Sequence, residues 1–262
     1  MSKIEETIKI LLFSNKRKDL LLMLKDGARS IDELRDELEI SMPNLIPHLK
    51  ILENAKLIWR KKKNVHLTER GLLCVEALIN FLNSIEIINN YEEFWKNHDI
   101  NGIPEPFLMK IHELGNCEIL EYSSASVYEP FRKFSKYLLG IKELKRVSPV
   151  FHPQCYQIFT DMVRKGKKVQ IILPEEVISE IRGGNRKIIE RFIAQKNAQL
   201  MICRYPVRVG LTLTETFLSL GLFLRDGHFD VYRELLSFDE SAIKWGRDLF
   251  EFYRKHSVLY DY

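Results

Sequence analysis

The sequence predicts an α+β protein in two parts: a small helical domain closed by a basic hairpin, then a linking helix and a larger mixed α/β domain. Three observations predict it. Residues 16–56 carry three short amphipathic patterns separated by turn signals, and residues 57–67 read strand, turn, strand. Residues 71–98 hold one helical pattern with no Gly or Pro after Gly71. From residue 103 onward, helical and strand patterns alternate. A chain of 262 residues has room for two such cores.

Composition narrows the class. With 45% hydrophobic and 29% charged residues the chain is not a disordered one, and 9 Pro with 12 Gly exclude a collagenous or linker-dominated one. The net charge is only +4, but residues 1–70 carry 15 basic and 11 acidic side chains while the remainder carries 25 of each. The whole excess therefore sits in the first domain. The opening MSKIEETIKI places Glu5 and Glu6 before any apolar run, unlike a secretory signal, and no run approaches the ~18 consecutive apolar residues of a membrane span. Cys74, Cys117, Cys155 and Cys203 are far apart and form no CxxC pair, which suits reduced thiols in the cytoplasm.

Residues 16–25, KRKDLLLMLK, make the first pattern. Ser14 or Asn15 is placed to cap it, Leu20, Leu21, Met23 and Leu24 form its apolar face, and Gly27 ends it in a left-handed turn. Ser30 and Glu33 have capping-box spacing, and Ile31, Leu34 and Leu38 follow as a buried stripe. Glu39-Ile40-Ser41 is a tight turn. A third helix begins near Met42, with Pro43 in the first turn where its missing N–H does no harm. Leu45, Leu49 and Leu52 share its buried face. Met42, Pro43, Ile46, Pro47 and Lys50 lie opposite, with Asn44 and His48 at the margin. Pro47 stands one turn in, where it removes a backbone bond. Residues 57–67, LIWRKKKNVHL, are two strands about a basic turn, and residues 68–71, TERG, cap the next helix.

That order is the order of a winged helix-turn-helix. Its second turn-motif helix enters the major groove of double-stranded DNA, and its wing sets cations beside the phosphates. Between Ser41 and His66 six basic residues face one acid, Glu53. The pattern assigns Met42, Asn44, Pro47 and His48 to the groove, and Lys50, Arg60, Lys61, Lys62 and Lys63 to phosphates. A protein-binding winged helix with a solvated Lys-rich hairpin is the alternative.

Residues 41–58, SMPNLIPHLKILENAKLI, resemble the recognition helix of ArsR-type and MarR-type regulators of archaea and bacteria. His48-Leu49-Lys50-Ile51-Leu52, Lys56-Leu57-Ile58 and Thr68-Glu69-Arg70-Gly71 carry the resemblance. Ile46-Pro47 departs from it, since such proteins place polar groove-facing residues there.

Leu72, Val75, Ile79, Leu82 and Ile85 form a stripe on the long helix. It is assigned to dimerisation, because palindromic sites suit twofold readers, with packing on the second domain as the alternative. Residues 97–106, NHDINGIPEP, read as the domain boundary. The expected division is thus a DNA-binding domain over 1–70, a linking helix over 71–100 and an effector domain over 103–262.

In that last part, helices are expected at 126–139, 153–165, 186–196 and 242–256. Strands are expected at 145–150, 168–173, 199–204, 207–213, 216–224 and 229–232. Strands around helices imply parallel pairs, and the late consecutive strands imply antiparallel ones, so the sheet should be mixed. Ser148-Pro149-Val150-Phe151-His152-Pro153 and residues 167–173, 217–223 and 242–250 resemble the effector domain of the filament-formation and methanogenesis regulators of methanogenic archaea. The resemblance implies transcriptional regulation coupled to a sensed signal. It also implies a phospholipase-D-like fold.

Phospholipase-D chemistry needs His-x-Lys with a downstream Asp. His112, His152 and His228 are followed by Glu-Leu, Pro-Gln and Phe-Asp, and none gives that motif. There is no GxGxxG, Walker loop or GxSxG, and His152 with Cys155 has no second pair to complete a metal site. Gly183-Gly184-Asn185 before a helix is a candidate anion loop, and Glu175-Glu176 reads as a solvated strand end. Arg204, Tyr205 and Arg208 are candidates to face a small anionic effector; surface charge at a bend is the plainer reading. The expectation is a cytoplasmic, homodimeric transcriptional regulator that needs no cofactor or metal and whose C-terminal domain senses a small-molecule effector or binds a partner. A protein–protein adaptor and an enzyme with a winged-helix appendage are the alternatives.

Overall fold

Three serines start three helices in the computed structural model, which describes residues 2–121, 136–184 and 186–260. Ser2 and Ser30 make full capping boxes with Glu5 and Glu33, opening α1 (Lys3–Leu12) and α3 (Ile31–Glu37). Ser14 accepts from the Arg17 N–H and opens α2 (Asn15–Met23). Helix α1 precedes the first helical pattern expected from the sequence, at residues 16–25. Next, α4 (Met42–Asn54) runs unbroken through Pro47. Left-handed Glu39 and Lys56 turn the chain on either side of it.

The wing is β2 (Ile58–Lys61) and β3 (Asn64–Leu67), with left-handed Lys62 in the turn. The two-residue β1 (Arg29–Ser30) adds to β3, giving an antiparallel sheet of order β1-β3-β2. Leu20, Leu21, Leu34, Leu45, Leu49, Leu52, Leu57, Val65 and Val75 are fully buried together. Each such side chain contributes about 2 kcal/mol.

Thr68 caps α5 (Glu69–Asn90) by accepting from the Gly71 N–H at 2.9 Å. The chain divides into two compact units within α5, between Asn83 and Ser84. The predicted continuous helix over 71–98 breaks at Tyr91, and α6 (Glu92–Asn97) follows. Tertiary bonds account for the break. The Tyr91 hydroxyl accepts from the Cys117 N–H at 2.8 Å and donates to its carbonyl, while the Trp95 indole donates to the Ile87 carbonyl. The predicted boundary at 97–106 is also displaced. His98 and Ile103 are buried in the second unit, and a Cβ on Gly102 would lie 2.6 Å from the Arg208 carbonyl oxygen. Gly and Pro signal a turn, and a turn packed into a core carries the same signal as a linker.

After α7 (Glu105–Leu108), the second unit is built on one eight-stranded sheet. Its strands are β4 (Cys117–Glu121), β5 (Glu143–Val147), β6 (Lys168–Pro174), β7 (Ala198–Cys203), β8 (Val209–Thr214), β9 (Leu218–Leu222), β10 (Arg233–Ser237) and β11 (Ser257–Leu259). The order is β11-β7-β6-β5-β8-β9-β10-β4. Strands β5, β6 and β7 are parallel and the other pairs antiparallel, the mixed sheet expected. The parallel crossovers run through α8 (Pro153–Arg164), then α9 (Glu175–Gly184) and α10 (Arg186–Ile193).

Strand β6 is buried on both faces, which explains its unalternated KVQIIL. On one face, Trp245, Leu249, Phe250 and Tyr253 of α11 (Glu240–Lys255) pack on Leu211, Leu213, Leu218 and Leu220. On the other, Phe159 and Phe192 cover Leu144, Ile171 and Leu200. Three local expectations are corrected. Glu175-Glu176 opens α9, Gly183 and Gly184 close it, and the strand expected at 229–232 appears later as β10. Phe229 instead lies against Gly210 and Gly221, filling space their missing side chains leave. Asn185, and most of the helix predicted at 126–139, lie outside the described residues.

Candidate nucleic-acid interface

Leu45, Leu49 and Leu52 turn one side of α4 into the core, so the opposite side is left to solvent. Pro43, Asn44, Pro47, Lys50, Ile51 and Asn54 are exposed there. Of the four residues assigned to a groove, Asn44 and Pro47 lie on this open face. Met42 is half-buried and packs against the core. His48 is also half-buried, with its Nδ1 buried and without a hydrogen bond. Burial, then the charges of Arg17 and Lys16, lower its pKa from the usual histidine value. The Nδ1 of His48 is therefore turned inward rather than toward the open face of α4.

The basic residues also sort in two. Lys50, Lys61, Lys62 and Lys63 are exposed, the last three at the wing tip. Arg60 points back from the wing to α4. Its Nε lies 3.2 Å from both carboxylate oxygens of Glu53, and its Nη2 completes the fork. This charge is already paired, so four lysines rather than five cations face outward. Two exposed apolar groups were not anticipated: Ile51 on α4, and Trp59, which stacks on His66 with centroids 4.2 Å apart. Register shows why the stack forms, since a two-residue turn sets 59 directly opposite 66.

The stripe assigned to dimerisation is only partly outward. Val75 is fully buried in the winged-helix core and Ile79 packs against that core, so these two serve their own chain, while Leu82 is half-buried. Leu72 and Ile85 are exposed. The open apolar side of α5 carries Leu73, Phe81, Ile85 and Ile88. By length and composition α5 is apolar enough to cross a membrane, with an 18-residue window of mean hydropathy 1.6. Its Val75 and Leu78 are nevertheless built into a folded domain. On α1, Ile4, Ile8 and Leu12 make a second exposed stripe, and Arg70 at the start of α5 donates to Thr7 of α1.

In the second unit, Arg204, Tyr205 and Arg208 do not converge. Tyr205 packs edge-on against Phe252, with centroids 5.0 Å apart. Arg208 pairs with Asp99 at 3.2 Å and lies over the Phe223 ring. Arg204 is exposed at the end of β7. Adjacent numbers on a bending chain point to different neighbours, which corrects their assignment to one ligand site. Among the described residues no group of three or more His, Cys, Asp or Glu could hold a metal ion.

Fold and surface together define a winged-helix domain joined to a mixed α/β domain. Residues 5–86 match the N-terminal domain of the methanogenesis regulatory protein FilR1, and residues 127–256 match its middle domain. The chain belongs to this family. It is 27% identical over 257 residues to the methanogenesis regulatory protein FilR1 of Methanothrix harundinacea (strain 6Ac), a match covering 95% of this chain and 57% of that relative. The chain thus spans just over half the relative's length. Among solved structures it is distantly similar to TrmBL2, an archaeal chromatin protein, at 13% identity, TM-score 0.43, and 98% and 99% coverage of the two chains. It is also distantly similar to the phospholipase D family member Nuc from Salmonella typhimurium, at 11% identity, TM-score 0.41, and 56% and 99% coverage.

Proposed function

We propose that the chain is a DNA-binding transcriptional regulator that acts in the cytoplasm as a homodimer, with the α/β domain as its sensory or partner-binding half. The carrying observation is the outer surface of the first unit. A helix face free of acidic residues presents Asn44, Pro47 and Lys50, and the wing tip beside it presents Lys61, Lys62 and Lys63. Family membership supports the regulatory role, since the relative is named a regulatory protein. Two prolines and Ile51 on the helix face favour shape and methyl contacts over many base-edge hydrogen bonds. Phosphate contacts then supply most of the affinity.

The exposed apolar side of α5 supports a twofold partner, and two linked winged helices suit two half-sites. An effector would act by binding one dimer arrangement more tightly than the other. The one His-x-Lys in the sequence, His48-Leu49-Lys50, lies on α4 of the winged helix, and none of the histidines from 98 onward makes one, which supports binding rather than catalysis by the α/β domain.

A salt titration of binding to duplex DNA tests the proposal. Log affinity should fall linearly with log salt, with a slope of about −0.9 per phosphate contact, and changing Lys61, Lys62 and Lys63 together to Ala should flatten it by two to three such steps. An unchanged slope would overturn the assignment of the wing.

A further inference from the structure

On the α8 side of the sheet, an otherwise apolar floor is crossed by a polar row. Arg146, Thr212 and Ser219 are direct cross-strand partners on β5, β8 and β9. Arg146 donates to the Thr212 hydroxyl at 2.7 Å, and Ser219 donates to the Glu234 carboxylate on β10. Leu144, Ile171, Leu200 and Leu236 surround the row. Thr212 and Ser219 are buried, whereas Arg146 and Glu234 at its ends are half-buried and reachable from solvent.

The start of α8 lies over this row. His152 is its N-cap without a side-chain cap bond, and no acid occupies the first turn. The Arg146 guanidinium lies 5.9 Å from the centre of the Phe159 ring, and that ring packs edge-on against Tyr156 with centroids 5.6 Å apart. The Tyr156 hydroxyl is buried and has no hydrogen-bond partner. A buried hydroxyl left so is unfavourable, and a phenylalanine would fill the same space without it.

We propose that this row is a binding site for a small hydroxylated anion, its charged group held by Arg146, the Tyr156 hydroxyl and the α8 N-terminus, and its hydroxyl held by Ser219 and Glu234. Guanidinium, phenol and helix N-terminus all favour negative charge. The carboxylate at the far end accepts a hydroxyl hydrogen and repels a second anionic group. A phosphate and a carboxylate share this chemistry. The site would take the effector that the proposed regulator requires, and in that sense it rests on that reading.

The full chain is titrated with glycerol phosphate, with glycerate and with glycerol, following melting temperature and heat of binding. Either anion at 20 mM should raise Tm by about 3 °C, and the one that does so identifies the charged group; glycerol should not. Arg146→Gln should abolish the shift. Tyr156→Phe should leave the unliganded Tm equal or higher yet weaken binding about fivefold, which a merely structural tyrosine would not do. No shift with either anion, an equal shift with glycerol, or unchanged binding in Tyr156→Phe would each overturn the site. DNA affinity measured with and without the bound probe is a separate arm. Its indifference would count against the regulatory reading and leave the site standing.

Discussion

Glu53 on the recognition helix holds Arg60 on the wing through two guanidinium nitrogens. The pair ties α4 to β2, and it sets the one acid between Ser41 and His66 against the wing's first cation. It removes one free cation from the outer surface of the wing and ties the wing to α4.

Glu53→Gln should therefore tighten binding to duplex DNA and steepen the salt slope by about 0.9, because Arg60 becomes free for a phosphate. Stability should fall by less than about 1 kcal/mol, as for a partly exposed pair. Salt titration and denaturant melts check both. Weaker binding would show that holding the wing matters more than freeing the charge.

Gly71→Ala should unfold the first unit selectively. A Cβ there would lie 1.9 Å from the Leu57 carbonyl oxygen, so backbone must move, at a cost of about 3 kcal/mol. The first transition in a melt should shift while that of the α/β unit stays.

Phe81→Glu should yield monomers in sedimentation and lose affinity for a two-half-site DNA. Phe81 is exposed on the open apolar side of α5, where a charge costs the single chain little. Val75→Glu should instead destabilise the winged helix itself, because Val75 is fully buried.

Stability should fall in acid partly through Asp230. Burial raises its pKa, but hydrogen bonds from His98, the Tyr232 N–H and Arg233 outweigh that and leave it below the ordinary carboxylate value. Its contribution is thus fully present above about pH 4 and is lost as pH falls through the lowered value. Asp230→Asn should flatten this acid limb and cost about 3 kcal/mol at neutral pH, because the buried His98 at 3.1 Å loses its partner. Denaturant melts from pH 2 to 7 measure both effects.

Much of the first unit was legible from local pattern. Ser30 with Glu33 marks a helix start by bonds that close within four residues, and Leu45, Leu49 and Leu52 mark a buried face by helical spacing alone. The wing was legible as two short apolar runs about a basic turn. The stripe on α5 was harder, since Val75 and Phe81 are equally apolar. Only their neighbours separate core from surface. The polar row was nearly legible, because Gly210, Thr212 and Thr214 alternate with Val209, Leu211 and Leu213. That alternation marks a face, but pairing across four strands was needed to bring Arg146 and Glu234 to it.

Helix caps, winged-helix order, basic tip and mixed sheet can be read along the chain, since each depends on contacts a few residues apart or on composition along one strand. Long-range packing fixes the pairing of Arg60, the break of the long helix at Tyr91, the division of the units after Asn83 and the separate neighbours of Arg204, Tyr205 and Arg208. Those outcomes depend on a partner distant in sequence, and no local pattern records which partner comes within hydrogen-bond reach.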